Sequence, residues 1–360
     1  MTLTAGNTEA RPGPIGETHP MAFLPGIALA RRFYVEAVRP ILADVAPDLP
    51  HAAALLGPGS EVLGFDTERS TDHDWGPRLQ LFLHPGDAAR HGPEIVAAFA
   101  DRIPEAFLGY PTQFSPARPH GVEVTDAPSW FTGRVGFDPA DGVTLLDWLA
   151  TPTQLLREVL AGEVFHDGLD ALERRRAALA WYPPDVWRYV LACQWRRIAQ
   201  EEPFVGRTAE GGDEAGSRVV AARLARDSMR LHLLIRRRYP PYGKWLGTDA
   251  GTVTGLDAAL NAPDFAAREA GLCAAYTALA EEHNALGLTD PLDPAPRGFH
   301  DRPFRVIRAD RFADALLAGI TDPAVAALPR IGAVDQFVDS TDALGHLALA
   351  RAITAAALGC

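Results

Sequence analysis

The most informative stretch of this sequence runs from Gly59 to Pro77 and reads GSEVLGFDTERSTDHDWGP. It opens with the pair Gly59-Ser60, continues through a polar spacer, and reaches an Asp-x-Asp pair just before an apolar run. The pattern predicts a glycine-containing turn after a helix, followed by a strand into which the two carboxylates lead.

The Asp pair predicts a cation site. In a strand, residues two apart point to the same face, so Asp72 and Asp74 would lie side by side and His73 would face the other way. Two adjacent carboxylates repel each other unless a cation lies between them, and hard oxygen ligands of this kind suit Mg²⁺. The Gly59-Ser60 pair would offer backbone N–H groups and a hydroxyl to phosphate oxygens. The alternative interpretation is a polar turn before a strand, and His73 is interpreted as structural.

Short apolar runs around this motif predict a small mixed α/β unit that ends near Ala150. A helical stripe precedes the motif at Leu24–Leu42, and a helical stretch follows it at Pro93–Ile103. The predicted strands are Val62–Phe65, Leu79–Leu83 and Val122–Val124.

Beyond Ala150 the apolar periodicity is mostly helical. The predicted helices are Leu169–Leu179, Val186–Ile198, Gly216–Arg238, Ala258–Leu286, Arg311–Leu317 and Asp342–Leu358. The predicted fold class is therefore α+β. We expect a loose tail at residues 1–20, an α/β domain at 21–150, and an all-helical domain at 151–360 that closes the ligand cleft.

Composition excludes several classes of protein. A hydrophobic fraction of 47% is too high for a disordered chain, and a formal net charge of −12 argues against a non-specific nucleic-acid or anionic-membrane surface. The 3 cysteines are scattered and odd in number, which argues against a disulfide framework or a zinc site. No apolar run is long enough to predict a membrane span. We expect a cytoplasmic protein, and the oligomeric state stays open.

The Gly-Ser pair, the spacer and the Asp-x-Asp pair together resemble the nucleotidyltransferase superfamily of the DNA polymerase beta type. The resemblance implies a third carboxylate on a neighbouring strand. Glu123 is the best candidate, because it alternates with Val122 and Val124, and Asp126 is the second choice. A solvent-facing strand residue is the alternative for Glu123.

Further segments resemble one bacterial nucleotidyltransferase-like family that is still labelled as a domain of unknown function. The resemblance extends over most of the chain from about residue 24 onward. Besides the motif itself, the similar segments are GEVFHD (162–167), YPPDVW (182–187), EEPFVGR (201–207), GDEAGS (212–217) and RYPPYGKW (238–245).

The resemblance implies nucleotidyl transfer to a hydroxyl of a small molecule, with AMP from ATP as the expected group. Two Mg²⁺ ions would be held by Asp72, Asp74 and Glu123, and the partners would be a nucleoside triphosphate and a small acceptor. Neither a membrane nor a nucleic acid is an expected partner. Two alternatives stay open: nucleotidylation of a protein or tRNA, and a non-catalytic nucleotide-binding regulatory module.

Lys244 is the single lysine among 34 basic residues. An ammonium is a compact point charge that can reach a phosphate, whereas a guanidinium is a planar fork. We predict that Lys244 contacts the triphosphate, which requires the helical region to fold back over the Asp pair. An exposed loop lysine is the alternative.

A charged segment between two predicted helices offers possible acceptor-binding residues. Loops on rigid scaffolds often carry function, but a solvated loop is the usual alternative. The residues are Glu201, Glu202, Arg207, Asp213 and Glu214.

Overall fold

The computed structural model describes residues 23–72, 74–115 and 119–359. The predicted tail at residues 1–20 and His73 lie outside the described residues, and so does the side chain of Asp72.

The strands are short, and four of those in the described residues join into one mixed sheet. They are β1 (Ala52–Leu55), β2 (Leu79–Leu83), β3 (Ala106–Phe107), β4 (Tyr110–Pro111), β5 (Val122–Asp126), β6 (Glu163–Asp167), β7 (Arg297–Gly298) and β8 (Arg305–Val306). The sheet order is β5-β2-β1-β6, with β1 antiparallel to both of its neighbours and β2 parallel to β5. The remaining strands form two-stranded ribbons.

The α-helices surround this sheet and make up most of the chain after residue 150. They are α1 (Gly26–Phe33), α2 (Arg39–Val45), α3 (Ser60–Leu63), α4 (Pro85–Arg102), α5 (Ala127–Val135), α6 (Leu145–Ala150), α7 (Thr153–Leu160), α8 (Leu172–Ala178), α9 (Pro184–Glu201), α10 (Phe204–Glu210), α11 (Glu214–Ile235), α12 (Gly243–Ala250), α13 (Leu256–Leu260), α14 (Phe265–Ala285), α15 (Asp310–Ala318), α16 (Pro323–Ala326), α17 (Thr341–Gly345) and α18 (Leu347–Leu358). The predicted α+β class, a small mixed sheet with a helical region, is confirmed.

The predicted strand at Val62–Phe65 is wrong. Val62 lies in the short helix α3, which ends at Gly64 in the left-handed conformation. The strand in this part of the chain is β1, which precedes α3 and whose sequence AAAL is buried on both faces. Alanine has a low strand propensity, so a run of alanines does not indicate a strand until both faces are seen to be covered.

The first helical segment contains a π-helical turn at Tyr34–Val38 between α1 and α2. Pro40 explains the irregularity, because proline lacks an N–H and its ring clashes with the carbonyl one turn earlier in a regular α-helix. The wider π turn accommodates the ring and lets the helix continue. The prediction of a helix with a proline interruption near its end is confirmed.

Strand alternation divides the sheet residues between two cores. Ala53 and Leu81 face a core shared with α1 and α4, which contribute Phe33 and Phe99. Phe82 faces the opposite way, into a core cluster that continues into the helical region as far as α15. Because β6 lies beyond residue 150 and pairs with β1, the helical region also completes the sheet.

Within the described residues, no helix combines the length and the apolar character needed to cross a membrane.

Candidate functional site

A cavity of about 930 Å³ lies between the sheet region and the helical region. Its wall includes Gly59, Ser60 and Asp74 from the sheet side and Lys244 from the helical side. Lys244 is far from the other three in the chain, and each of the four was singled out by the sequence as a ligand-binding residue. The structure therefore brings most of the predicted nucleotide-binding residues to one site.

The turn at Gly59 is shaped by a buried ion pair. Gly59 has a φ of 145°, and a Cβ at this position would lie 2.4 Å from the Arg78 Nη2 atom. Arg78 donates hydrogen bonds to Glu61 Oε1 and to the Pro58 backbone oxygen, and Glu61 is only 2% exposed. Ser60 then begins α3. Glycine is required here because the chain adopts a conformation that L side chains rarely reach.

The Asp-x-Asp pair does not lie in a strand, and this part of the prediction is wrong. Asp72 ends a 3₁₀ helix that begins at Glu68, and Asp74 follows in a loop with a φ of 49°. The strand begins only at Leu79, because Gly76 has a φ of 154° and Pro77 has no N–H to donate to a sheet. Asp residues tolerate the left-handed conformation better than most.

Asp74 presents a free carboxylate to the cavity. The side chain is exposed, and it has no hydrogen-bond or salt-bridge partner in the part of the chain that the structure describes. A nearby carboxylate, Asp66, is by contrast hydrogen-bonded, because its Oδ2 atom accepts from the Gly26 N–H at 2.7 Å and from the Trp75 Nε1–H at 3.1 Å. Asp74 is thus available to a cation or a donor group from a ligand.

Glu123 lies on β5 in register with Gln80 of β2. Its side chain is exposed and does not line the cavity. Gln80 turns its amide to the Leu56 backbone, accepting from the N–H at 3.0 Å and donating to the oxygen at 3.3 Å. The strand alternation that suggested Glu123 is confirmed, but the described structure does not place its carboxylate on the wall that holds Asp74.

Lys244 lies in the first turn of α12, with an exposed side chain. Its Nζ atom lies 4.8 Å from the ring centroid of Trp245, an attractive cation–π distance. Trp245 in turn packs at 5.2 Å against Phe65, which follows α3. This aromatic contact joins the helical region to the Gly-Ser segment and holds Lys244 at the cavity rim.

The cavity residues that the sequence did not indicate include Gln154 and Glu158, which are one turn apart on α7. Gln154 Nε2 donates to Glu158 Oε1 at 2.7 Å. Burial raises the pKa of the Glu158 carboxyl. The only signal in the sequence was an i, i+4 polar pair on an amphipathic helix, which usually describes a solvated face.

The helical side of the cavity carries arginines and their partners. Arg226 forms a salt bridge with Asp339 at 3.0 Å, and Arg230 donates to the Asp335 backbone oxygen at 2.6 Å. Both lie on α11, one turn apart, and line the cavity, and Arg69 lines it from the sheet side. These side chains and Lys244 would favour an anionic group in this part of the cavity.

None of the five predicted acceptor-binding residues lines the cavity. Glu202 accepts three backbone N–H bonds from residues 307–309, Asp213 caps α11, and Glu214 forms a two-bond ion pair with the buried Arg268. Glu201 pairs with Arg223 at 2.6 Å, and the Arg207 guanidinium lies over the Phe204 ring. The structure therefore gives each of them an intramolecular contact.

Among the side chains that the structure describes, no group of three or more His, Cys, Asp and Glu residues is arranged to hold a metal ion. The Asp72 carboxylate is outside that set, so the predicted pair of Asp72 and Asp74 stays a prediction.

A cleft between a small mixed sheet and a helical region is thus lined by both carboxylates and cations. The family model of a domain of unknown function, DUF4037, matches residues 148–246. The matched part includes α7 with Glu158 and the segment with Lys244, and so it supplies part of the helical wall of the cavity. Among curated proteins, none matches the chain.

Proposed function

We propose that this protein is a Mg²⁺-dependent nucleotidyltransferase that moves a nucleoside monophosphate, AMP from ATP, to a hydroxyl of a small molecule. One observation carries the proposal: Gly59, Ser60, Asp74 and Lys244 line a single cavity although 170 residues separate Asp74 from Lys244 (244 − 74). These are the residue types needed to hold a triphosphate and its metal.

The size of the cavity supports a two-substrate site. Pockets for drug-sized ligands have volumes of roughly 300–1,000 Å³. At about 930 Å³, this cavity can hold a nucleoside triphosphate with a small acceptor beside it.

Carboxylate oxygens from the Asp-x-Asp pair are suitable ligands for a hard divalent cation. Asp74 offers an unpartnered carboxylate on the wall, and Asp72 is the second proposed ligand. Bound Mg²⁺ would neutralise charge on the triphosphate and on the departing pyrophosphate. The proposed ligands are therefore Asp72 and Asp74, whereas the Glu123 side chain does not line the cavity.

The chain's own residues would bind and orient the nucleotide. The Gly59-Ser60 turn would offer its backbone N–H groups and the Ser60 hydroxyl to phosphate oxygens. Lys244, Arg226 and Arg230 would balance the phosphate charge from the opposite wall. Most of the rate enhancement would come from holding both substrates in line and from this charge neutralisation.

A substitution of Asp74 tests the proposal. Asp74→Asn keeps the shape of the side chain but removes the charge, so we expect Mg²⁺-dependent pyrophosphate release from ATP to fall by about a hundredfold or more. The assay uses purified protein, ATP, Mg²⁺ and a panel of hydroxyl compounds. Asp101→Asn on α4, which removes an exposed carboxylate away from the cavity, is the matched control.

Unchanged turnover in Asp74→Asn would contradict the proposal.

A companion assay with labelled ATP and a cell lysate identifies the kind of acceptor. Label in a small product supports a small-molecule acceptor, and label retained on protein or RNA would contradict it.

A further inference from the structure

Glu158 is a buried carboxylate beside the Gly-Ser turn. Its side chain is 8% exposed and yet lines the cavity. Its backbone oxygen accepts the Gly57 N–H at 3.0 Å, which holds the start of the turn against α7. A buried ionisable group costs free energy unless it is paired, so its presence on a cavity wall points to a chemical task.

Hydrogen bonds fix the orientation of this carboxylate. The Tyr242 backbone N–H donates to Gln154 Oε1 at 2.8 Å, and a backbone N–H can only donate. The amide NH₂ of Gln154 must therefore face Glu158, where it donates to Oε1 at 2.7 Å. Oε1 is committed as an acceptor, and Oε2 has no hydrogen-bond partner among the described residues. Oε2 is thus the oxygen that is free to gain or lose a proton.

We infer that Glu158 is the catalytic base that takes the proton from the acceptor hydroxyl, and that Gln154 is the residue that positions it. This inference rests on the proposed function. The hydroxyl proton passes to Glu158 Oε2 as the hydroxyl oxygen forms a bond to the α-phosphorus of the nucleotide. The bond from that phosphorus to the bridging oxygen breaks, and its electron pair leaves with pyrophosphate.

The surroundings of Glu158 raise the pKa of its carboxyl above the ordinary value. Burial raises the pKa of its carboxyl, while the Gln154 hydrogen bond and the charges of Arg134 and Arg78 act in the opposite direction. Arg78 is itself paired with Glu61 at 2.5 Å, which reduces its influence on Glu158. A carboxylate with a raised pKa is a stronger base than an exposed one, and the active, ionised form increases as pH rises.

The experiment compares Glu158→Gln with wild type in two assays. Binding of Mg²⁺ and a non-hydrolysable ATP analogue is measured by calorimetry, and pyrophosphate release is measured with amino sugars, neutral sugars, nucleosides or water alone as acceptor. We expect binding to change by less than about twofold and turnover to fall by about a hundredfold or more. Glu94→Gln, an exposed substitution on α4, is the control.

A second variant tests the positioning role. Gln154→Met removes the hydrogen bond that favours the ionised carboxylate, so the acidic limb of the pH–rate profile should move to higher pH. Infrared difference spectra between wild type and Glu158→Gln should show a carboxylic-acid carbonyl band that titrates with the same pKa as the rate.

The outcomes separate the two claims. If wild type is active and the turnover of Glu158→Gln lies within about threefold of the wild-type rate, the inference is overturned and the proposed function stands. An unmoved pH profile in Gln154→Met, in a folded and active protein, would remove the positioning role. No pyrophosphate release by wild type with any acceptor or with water would overturn the proposed function and this inference together.

Discussion

At the residue scale, Lys244 is the single lysine in a composition dominated by arginine. It lines the same cavity as Asp74, and its ammonium rests on Trp245. A planar guanidinium stacked on that ring would present its donors differently from a compact ammonium. This difference is a physical reason for lysine at this one position.

Removing the ammonium should weaken nucleotide binding. A hydrogen bond to a charged group contributes about 1.5–3 kcal/mol, so Lys244→Ala should raise the Kd for the Mg²⁺ complex of ATP by roughly tenfold to a hundredfold. Lys244→Arg should recover only part of that affinity because of its different geometry. Calorimetry measures both variants, with Arg90→Ala on α4 as a control for an exposed charge. Equal affinity in wild type and Lys244→Ala would show that the lysine is not a phosphate contact.

At the element scale, the loops around the sheet position the site. The turn before α3 needs glycine at residue 59, and Gly76 and Pro77 hold off the start of β2 so that Asp74 stays in a loop. These loops are fastened by the Arg78–Glu61 pair, which packs beneath the Gly59 turn. This wall of the cavity is therefore formed by loops at the strand ends and not by the strands themselves.

Gly59→Ala should damage both stability and binding. Its Cβ would lie 2.4 Å from Arg78 Nη2 and 2.6 Å from Glu61 Oε2, in a backbone conformation unsuited to alanine. Strained positions of this kind cost about 1–3 kcal/mol, which urea unfolding will measure. Gly133→Ala in the middle of α5 is the matched control. Nothing lies within 4 Å of its Cβ position, so it should leave the free energy of unfolding unchanged or raise it. Equal stability of the two variants would contradict the role assigned to the turn.

At the scale of the whole molecule, the sheet and the helical region share a continuous core. Phe82 of β2 and Phe312 of α15 belong to one buried cluster. Glu202, at the end of α9, ties that helix to the segment before α15 by accepting N–H bonds from Ile307 at 2.7 Å and Ala309 at 3.0 Å. Burial raises the pKa of Glu202 to about 7, although the backbone hydrogen bonds act in the opposite direction.

Stability should therefore depend on pH through Glu202. Because its pKa in the folded protein is above the ordinary value of 4.5, the folded state holds the proton more tightly. The stabilisation is fully present below about pH 4.5 and is lost as pH rises through about 7, amounting to roughly 3 kcal/mol at most. Urea unfolding between pH 5 and pH 8 should show a steeper decline in wild type than in Glu202→Gln. The control Glu94→Gln should show the same decline of stability with pH as wild type. If Glu202→Gln also shows the wild-type decline, Glu202 is not the source of the pH dependence.

Sequence alone determined the α+β class, the helix from Leu24 onward, the strand Leu79–Leu83 and most of the later helices, because each depends on local periodicity and on proline and glycine signals. It also singled out Gly59, Ser60, Asp74 and Lys244, which tertiary folding brings to one cavity. Residue type and local spacing were sufficient to single them out, because both can be read directly from the sequence.

Tertiary structure alone decided which strands pair and which charges are free. The alanine strand β1 became recognisable only when covered on both faces, and β6 joined the sheet from beyond residue 150. In the sequence, Glu158 resembles any solvated helix residue, and Glu202 lies in a segment that is interpreted as a polar loop. Their burial depends on contacts between residues far apart in the chain, such as Tyr242 with Gln154 and Ile307 with Glu202, and local periodicity carries no information about those distances.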